Sequence, residues 1–74
     1  MRTQQVELFF PGKLKEEPFF YYIVKEFNVI PRIVEASFST EMGWAIVEFE
    51  GKEKEIERLF EFLKDKGVQI SSAK

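Results

Sequence analysis

The 74-residue sequence contains neither cysteine nor histidine. Whatever it folds into must be held by one apolar core, without a disulfide or a transition-metal staple. The same absence removes the thiol nucleophile, the zinc ribbon, the iron–sulfur cluster and the commonest general base. Nine Phe residues supply bulk for such a core. A hydrophobic fraction of 45% beside 32% charge is that of a folded globule. No stretch is long and apolar enough to span a bilayer, and no secretory signal pattern opens the chain, so the expectation is a cytoplasmic protein without membrane insertion. The net charge of −2 argues against a partner held mainly by its phosphates. Abundant Glu and Lys with a lone Asn lean towards a thermophile.

With no linker, repeat or low-complexity tract, residues 1–74 read as a single domain. Val6, Leu8 and Phe10 alternate onto one face of a first strand, with Gln5, Glu7 and Phe9 on the other, and Pro11-Gly12 ends it. Pro18 stands where a first helical residue would, with Glu16 and Glu17 at the positive end of the helix dipole. Phe20, Ile23, Val24 and Phe27 at i, i+3, i+4, i+7 spacing predict a helix of about three turns, closed by Asn28. Over residues 29–39, Val34, Ala36 and Phe38 share one face, and Ile33, Glu35 and Ser37 the other. Pro31 marks an edge or a late start.

Thr40-Glu41-Met42-Gly43 reads as a hairpin turn. Residues 44–50 then place Ala45, Val47 and Phe49 on one side, and Trp44, Ile46 and Glu48 on the other. Residues 52–66 are helical, with Ile56, Leu59, Phe60 and Leu63 inward. Gly67 caps that helix, and Val68 and Ile70 begin a short last strand. The order βαββαβ is the ferredoxin-like pattern, an α+β fold in which two helices cover one face of a four-stranded antiparallel sheet.

Catalytic motifs do not survive inspection. Gly12-Lys13 fails as a phosphate loop because Glu7 stands at the first glycine position and Leu14 at the Ser/Thr position. Glu53, Glu55 and Glu57 with Lys52, Lys54 and Arg58 read as a solvated helix face laced by i, i+4 pairs. Asp65 is the sole Asp, and Ser37 and Ser39 have only lysines and carboxylates to serve as bases. The expectation is a protein that is not an enzyme and holds neither metal nor cofactor.

On these strand phases the face away from the helices carries Phe9, Ile33, Trp44 and Ile46 beside Glu7, Glu35 and Glu48. A contiguous apolar patch there calls for cover. A loop or the C-terminal tail, a homodimer packed through sheet faces or edges, or a ligand or foreign protein surface could each supply it. RNA-recognition domains share the element order and place stacking aromatics on this face. Met42-Gly43-Trp44-Ala45-Ile46-Val47-Glu48-Phe49 agrees with their third-strand signature at Gly43, Ala45, Val47 and Phe49, and approximately at Trp44. Met42 replaces the basic residue, Ile46 replaces an aromatic, and the surroundings are acidic. A degenerate RNA-binding domain is thus the remote alternative, and no nucleic-acid partner is expected.

The ordered landmarks carry a closer likeness. Phe10-Pro11-Gly12 ends the first strand, Glu17-Pro18 opens the helix and Lys25-Glu26-Phe27-Asn28-Val29 closes it. Ile33-Val34, Gly43, Gly51, Glu55-Ile56, Phe62-Leu63 and Gly67-Val68 follow at matching intervals. In this succession the chain resembles the NIL domain, an ACT-like, ferredoxin-like module found at the C-terminus of methionine-import ABC transporter ATPases, fused to ferredoxins, or alone. The resemblance implies a regulatory domain that senses methionine at a domain–domain interface. Where the family's Asn-Ile-Leu begins the second strand, this sequence reads Arg32-Ile33-Val34. These 74 residues include no ATPase domain, so the expectation is a domain that does not gate a transporter in cis.

Two functions follow from the resemblance. In the first, the domain is a non-catalytic regulatory module binding an amino-acid-like ligand at a homodimer interface. Arg32 would hold the ligand carboxylate, Ile33, Val34 and Met42 would line an apolar slot, and Gly43 would let the ligand approach the backbone. In the second, Phe9, Trp44 and Ile46 form an interface that docks on a separate enzyme or transporter of sulfur or amino-acid metabolism.

Overall fold

The computed structural model describes residues 1–14, 17–39 and 41–72, with every side chain in these segments except that of Lys13. Glu16 and Thr40, expected in the first helix's acidic start and in the hairpin turn, lie outside the described residues. Six elements run in the expected order: β1 (Arg2–Pro11), α1 (Phe19–Glu26), β2 (Val29–Phe38), β3 (Met42–Gly51), α2 (Glu53–Asp65) and β4 (Gln69–Ser72). A single 3-10 turn, Gly12–Leu14, follows β1. The strands form one antiparallel sheet in the order β2-β3-β1-β4. This is the ferredoxin-like α+β fold.

Alternation does the sorting in the two central strands. Val6 lies opposite Val47 and Leu8 opposite Ala45, and these side chains with Phe10 and Phe49 are fully buried beneath the helices. From α2, Ile56, Leu59 and Leu63 enter the same core at i, i+3, i+7 spacing. Phe60, expected inward, is only partly buried and stands edge-on to Phe49. Helix α2 ends on a left-handed glycine. Gly67 (φ 98°) donates to the Lys64 carbonyl at 3.0 Å, and the Val68 N–H reaches back to the Leu63 carbonyl at 2.9 Å. That closes the last carbonyls and drops Val68 into the core.

The first helix departs from its expected form. Pro18 is its cap, not its first residue, and Phe27 already leaves in extended conformation, so eight residues remain where about three turns were read. The buried stripe is rotated as well. Phe19 and Ile23 face the core, whereas Val24 is 62% exposed. Contacts with α2 explain the rotation: Phe62 packs against both Tyr22 and Phe27, which turns that flank of α1 towards α2 and Val24 away.

Two side chains of α2 tie down the end of α1. The Glu55 carboxylate accepts the Asn28 backbone N–H at 2.9 Å, and the Arg58 guanidinium donates to the Glu26 carbonyl at 3.1 Å. Arg58 also stacks over the Phe27 ring, 4.6 Å from its centroid. The two residues bond to each other as well, so the face read as merely solvated also fastens the α1–β2 corner.

A bulge overturns the phase expected of β2. Ile33 pairs with Val47 but Glu35 pairs with Ile46, leaving Val34 as the extra residue. Residues N-terminal to the bulge therefore shift face. Val29, Pro31 and Ile33 share the helix side with Ala36 and Phe38, while Ile30, Arg32, Glu35 and Ser37 share the open side. Ile33 does not belong to the open-face patch. Met42 and Gly43 are strand residues of β3 rather than turn residues, the turn being drawn in by Ser39, whose hydroxyl accepts the Glu41 and Met42 N–H groups at 3.2 Å.

Candidate functional site

The open face of the sheet is built by register from all four strands. At its centre Phe9 lies opposite Trp44, and Glu7 opposite Ile46. All four are half-buried, because neighbouring side chains on a pleated face shield one another. Phe9, Trp44 and Ile46 thus form the continuous strip expected of them, with Ile33 absent from it. A shallow hollow of about 300 Å³ opens beside Phe9, bounded by Glu7, Gln69 and Ser71 where β4 runs short.

Arg32 reaches across this face from the edge strand. Its guanidinium contacts Glu50 at 2.6 Å and Glu48 at 3.5 Å, and both carboxylates stand on β3. The hydrogen bond to Glu50, then the nearby negative charges of Glu50 and Glu48, hold the guanidinium pKa above its ordinary value. With Glu7, Glu35, Glu48 and Glu50 around it, Arg32 is the one cation of the open face among the described residues.

The residues expected to share a ligand slot with Arg32 are not gathered around it within one chain. Ile33 sits next to it on the strand but is turned to the helix side, and Val34 is the unpaired residue of the bulge. Met42 and Gly43 lie at the other end of β3, six and five residues and roughly 17–20 Å beyond the position opposite Arg32. Nor is the space over Gly43 open. The Phe38 ring already lies where a Cβ would be.

Sequence reasoning missed how exposed β2 is. Ile30, Ile33, Val34 and Phe38 are all half exposed or more. Pro31 marked the strand as a possible edge, but alternation reads faces and not how little the helices cover an edge strand. It also missed the groove of about 400 Å³ between the helices, where Tyr22, Phe27 and Phe62 meet Arg58 and Lys66. The charged groups there are largely occupied. Arg58 caps α1, Lys66 lies over Phe62, and Tyr22 donates to Glu17 at 3.2 Å.

No helix of the described residues is long and apolar enough to cross a membrane, and among them no cluster of carboxylates could hold a metal ion. A family model described as "NIL domain" matches residues 4–72, nearly the whole chain. No curated protein matches the sequence.

Proposed function

The chain belongs to the NIL domain family, whose members are small regulatory or ligand-binding modules, and on that premise we propose that it binds a free amino acid, methionine or a relative, without catalysis and at a homodimer interface. The observation that carries this reading is the setting of Arg32, one guanidinium among carboxylates beside an apolar strip. A free amino acid presents a carboxylate and an ammonium a few ångströms apart. Arg32 is suited to the carboxylate, which a guanidinium grips with two parallel hydrogen bonds. Glu48 or Glu50, released from Arg32, would take the ammonium. An apolar side chain, a thioether included, would lie along Ile46 and Trp44.

The exchange is energetically feasible because the Arg32 pairs are exposed, and exposed pairs contribute little in water. Ile33, Val34, Met42 and Gly43 have no part in this arrangement. Arg32 and Glu35 lie on an edge strand, so a second chain beside it would wall in the ligand. A ligand touching two chains favours the dimer by mass action, which makes the module a sensor.

A thermal-shift screen with L-methionine, homocysteine and a panel of amino acids at about ten times a millimolar dissociation constant tests the proposal. A rise in melting temperature for one apolar class supports it, and no shift with any of them refutes it. The direct opposition of Phe9 and Trp44 favours one second reading, a docking strip for a separate enzyme or transporter of sulfur or amino-acid metabolism. Trp44→Ser with Ile46→Ser would then abolish association with that partner while leaving the fold intact.

A further inference from the structure

A small cavity opens on the helix side of the sheet, on the opposite face from Arg32. It encloses about 60 Å³ and is lined by Phe10 of β1, Phe19 and Phe20 of α1, Phe38 of β2 and one polar residue, Glu17. Phe10 and Phe19 are buried and form its inner wall, while partly buried Phe20 and exposed Phe38 stand nearer the water. The ring centroids of Phe19, Phe20 and Phe38 lie 5.6, 6.4 and 6.0 Å from that of Phe10, and each ring is tilted against it rather than edge-on.

Glu17 is fixed beside this cluster from three directions. Its N–H donates to the Leu14 carbonyl at 3.0 Å, and its own carbonyl accepts the Phe19 N–H at 2.8 Å. The Tyr22 hydroxyl donates to its Oε1 at 3.2 Å. Among the described residues Glu17 makes no ion pair, so its negative charge stands unneutralised at the edge of four rings.

Such a lining selects its occupant. An anion would meet the carboxylate and the negative faces of the rings. A neutral apolar group would strip water from Glu17 and return nothing for it. Water would find a single polar partner, where buried water commonly makes about three hydrogen bonds. A primary ammonium brings three N–H donors to one carboxylate that Tyr22 already shares, which leaves donors unsatisfied among the rings. A quaternary ammonium carries the positive charge, has no N–H to satisfy and presents methyl groups to the aromatic faces. From this we infer that the cavity binds the trimethylammonium head of a small quaternary amine, with Glu17 as its counter-ion and Phe10, Phe19, Phe20 and Phe38 as its cage. The volume suits a head group, and the rest of the ligand extends past Phe20 and Phe38 into water. This site is separate from the one around Arg32 and requires neither a second chain nor an amino acid.

The probe is choline chloride, titrated to roughly 20 mM into the full chain against sodium chloride at equal ionic strength and followed by NMR. Choline should give saturable shifts centred on Phe19, Phe20 and Phe38. The uncharged carbon isostere of choline, in which a tert-butyl group replaces the trimethylammonium head, should give none over the same range. Glu17→Gln keeps the shape of an exposed side chain and removes its charge. It should weaken choline binding roughly tenfold with circular dichroism unchanged. Phe20→Leu should weaken it several-fold by removing one ring, and Arg32→Ala should leave it unchanged. No saturable shift with choline, equal binding of the isostere, or unchanged affinity in Glu17→Gln overturns the inference. Loss of choline binding in Arg32→Ala would put the cation on the other face and overturns it as well. Choline binding without any response to amino acids refutes only the reading around Arg32, and the reverse refutes only the cage.

Discussion

The ring of Phe38 occupies the space that a Cβ on Gly43 would need, and the same ring leans on Phe10 with centroids 6.0 Å apart. Gly43 is therefore explained by packing within the chain. Gly43→Ala should push the ring off Phe10 and weaken folding by about 1–3 kcal/mol, read as a lower urea midpoint with unchanged slope. An unchanged midpoint would mean that the ring swings clear at no cost.

Glu55 anchors the α1–β2 corner and titrates accordingly. Its carboxyl pKa is held below the ordinary glutamate range, first by the Arg58 hydrogen bond and then by the Asn28 N–H. A depressed folded-state value means that its stabilisation is complete above the unfolded-state pKa and lost as pH falls through the folded-state one. Urea midpoints should therefore fall on acidification below about pH 4.3. Glu55→Gln should be less stable at neutral pH and should lose less over that acid limb. Parallel curves for the two proteins would show that the contact does not contribute.

Leu59 is fully buried at the centre of the core face of α2. Leu59→Ala should cost about 2–5 kcal/mol. That is a large share of the stability available to a domain this small. The expected result is a protein largely unfolded at 37 °C by circular dichroism. Glu57→Ala, on the exposed side of the same helix, should change stability by less than about 0.5 kcal/mol.

Gly67 holds a left-handed backbone with φ 98°, and a Cβ there would also press on Leu14. Gly67→Ala should destabilise the protein by about 1–2 kcal/mol. Hydrogen exchange should locate the loss at the last turn of α2 and at Val68.

Element order, both central strands and the core stripe of α2 were legible because each depends on local periodicity and the capping glycine. The face of Ile33 was not. A bulge inserts one residue without leaving a composition mark, and residues 32–35 read as ordinary alternation. Val24 was misplaced for a different reason, since periodicity gives the width of a helix stripe but not its rotation against a neighbour, here set by Phe62. At the site, the strip of Phe9, Trp44 and Ile46 could be read from strand phase. The Arg32 contacts with Glu48 and Glu50 could not, as they depend on the β2–β3 register. The ties from Glu55 and Arg58 to α1 cross about thirty residues and leave no short-range signal.

The proposed function turns on whether Arg32 and its neighbours accept a free amino acid, and Trp44, the chain's sole tryptophan, stands on the same face to report it. The most direct measurement is a titration with L-methionine up to about ten times a millimolar dissociation constant, followed in Trp44 emission and in heat, for the unsubstituted protein and for Arg32→Ala. The account predicts a saturable signal in the first and none in the second. Silence in both, or the same saturation curve in both, would contradict it.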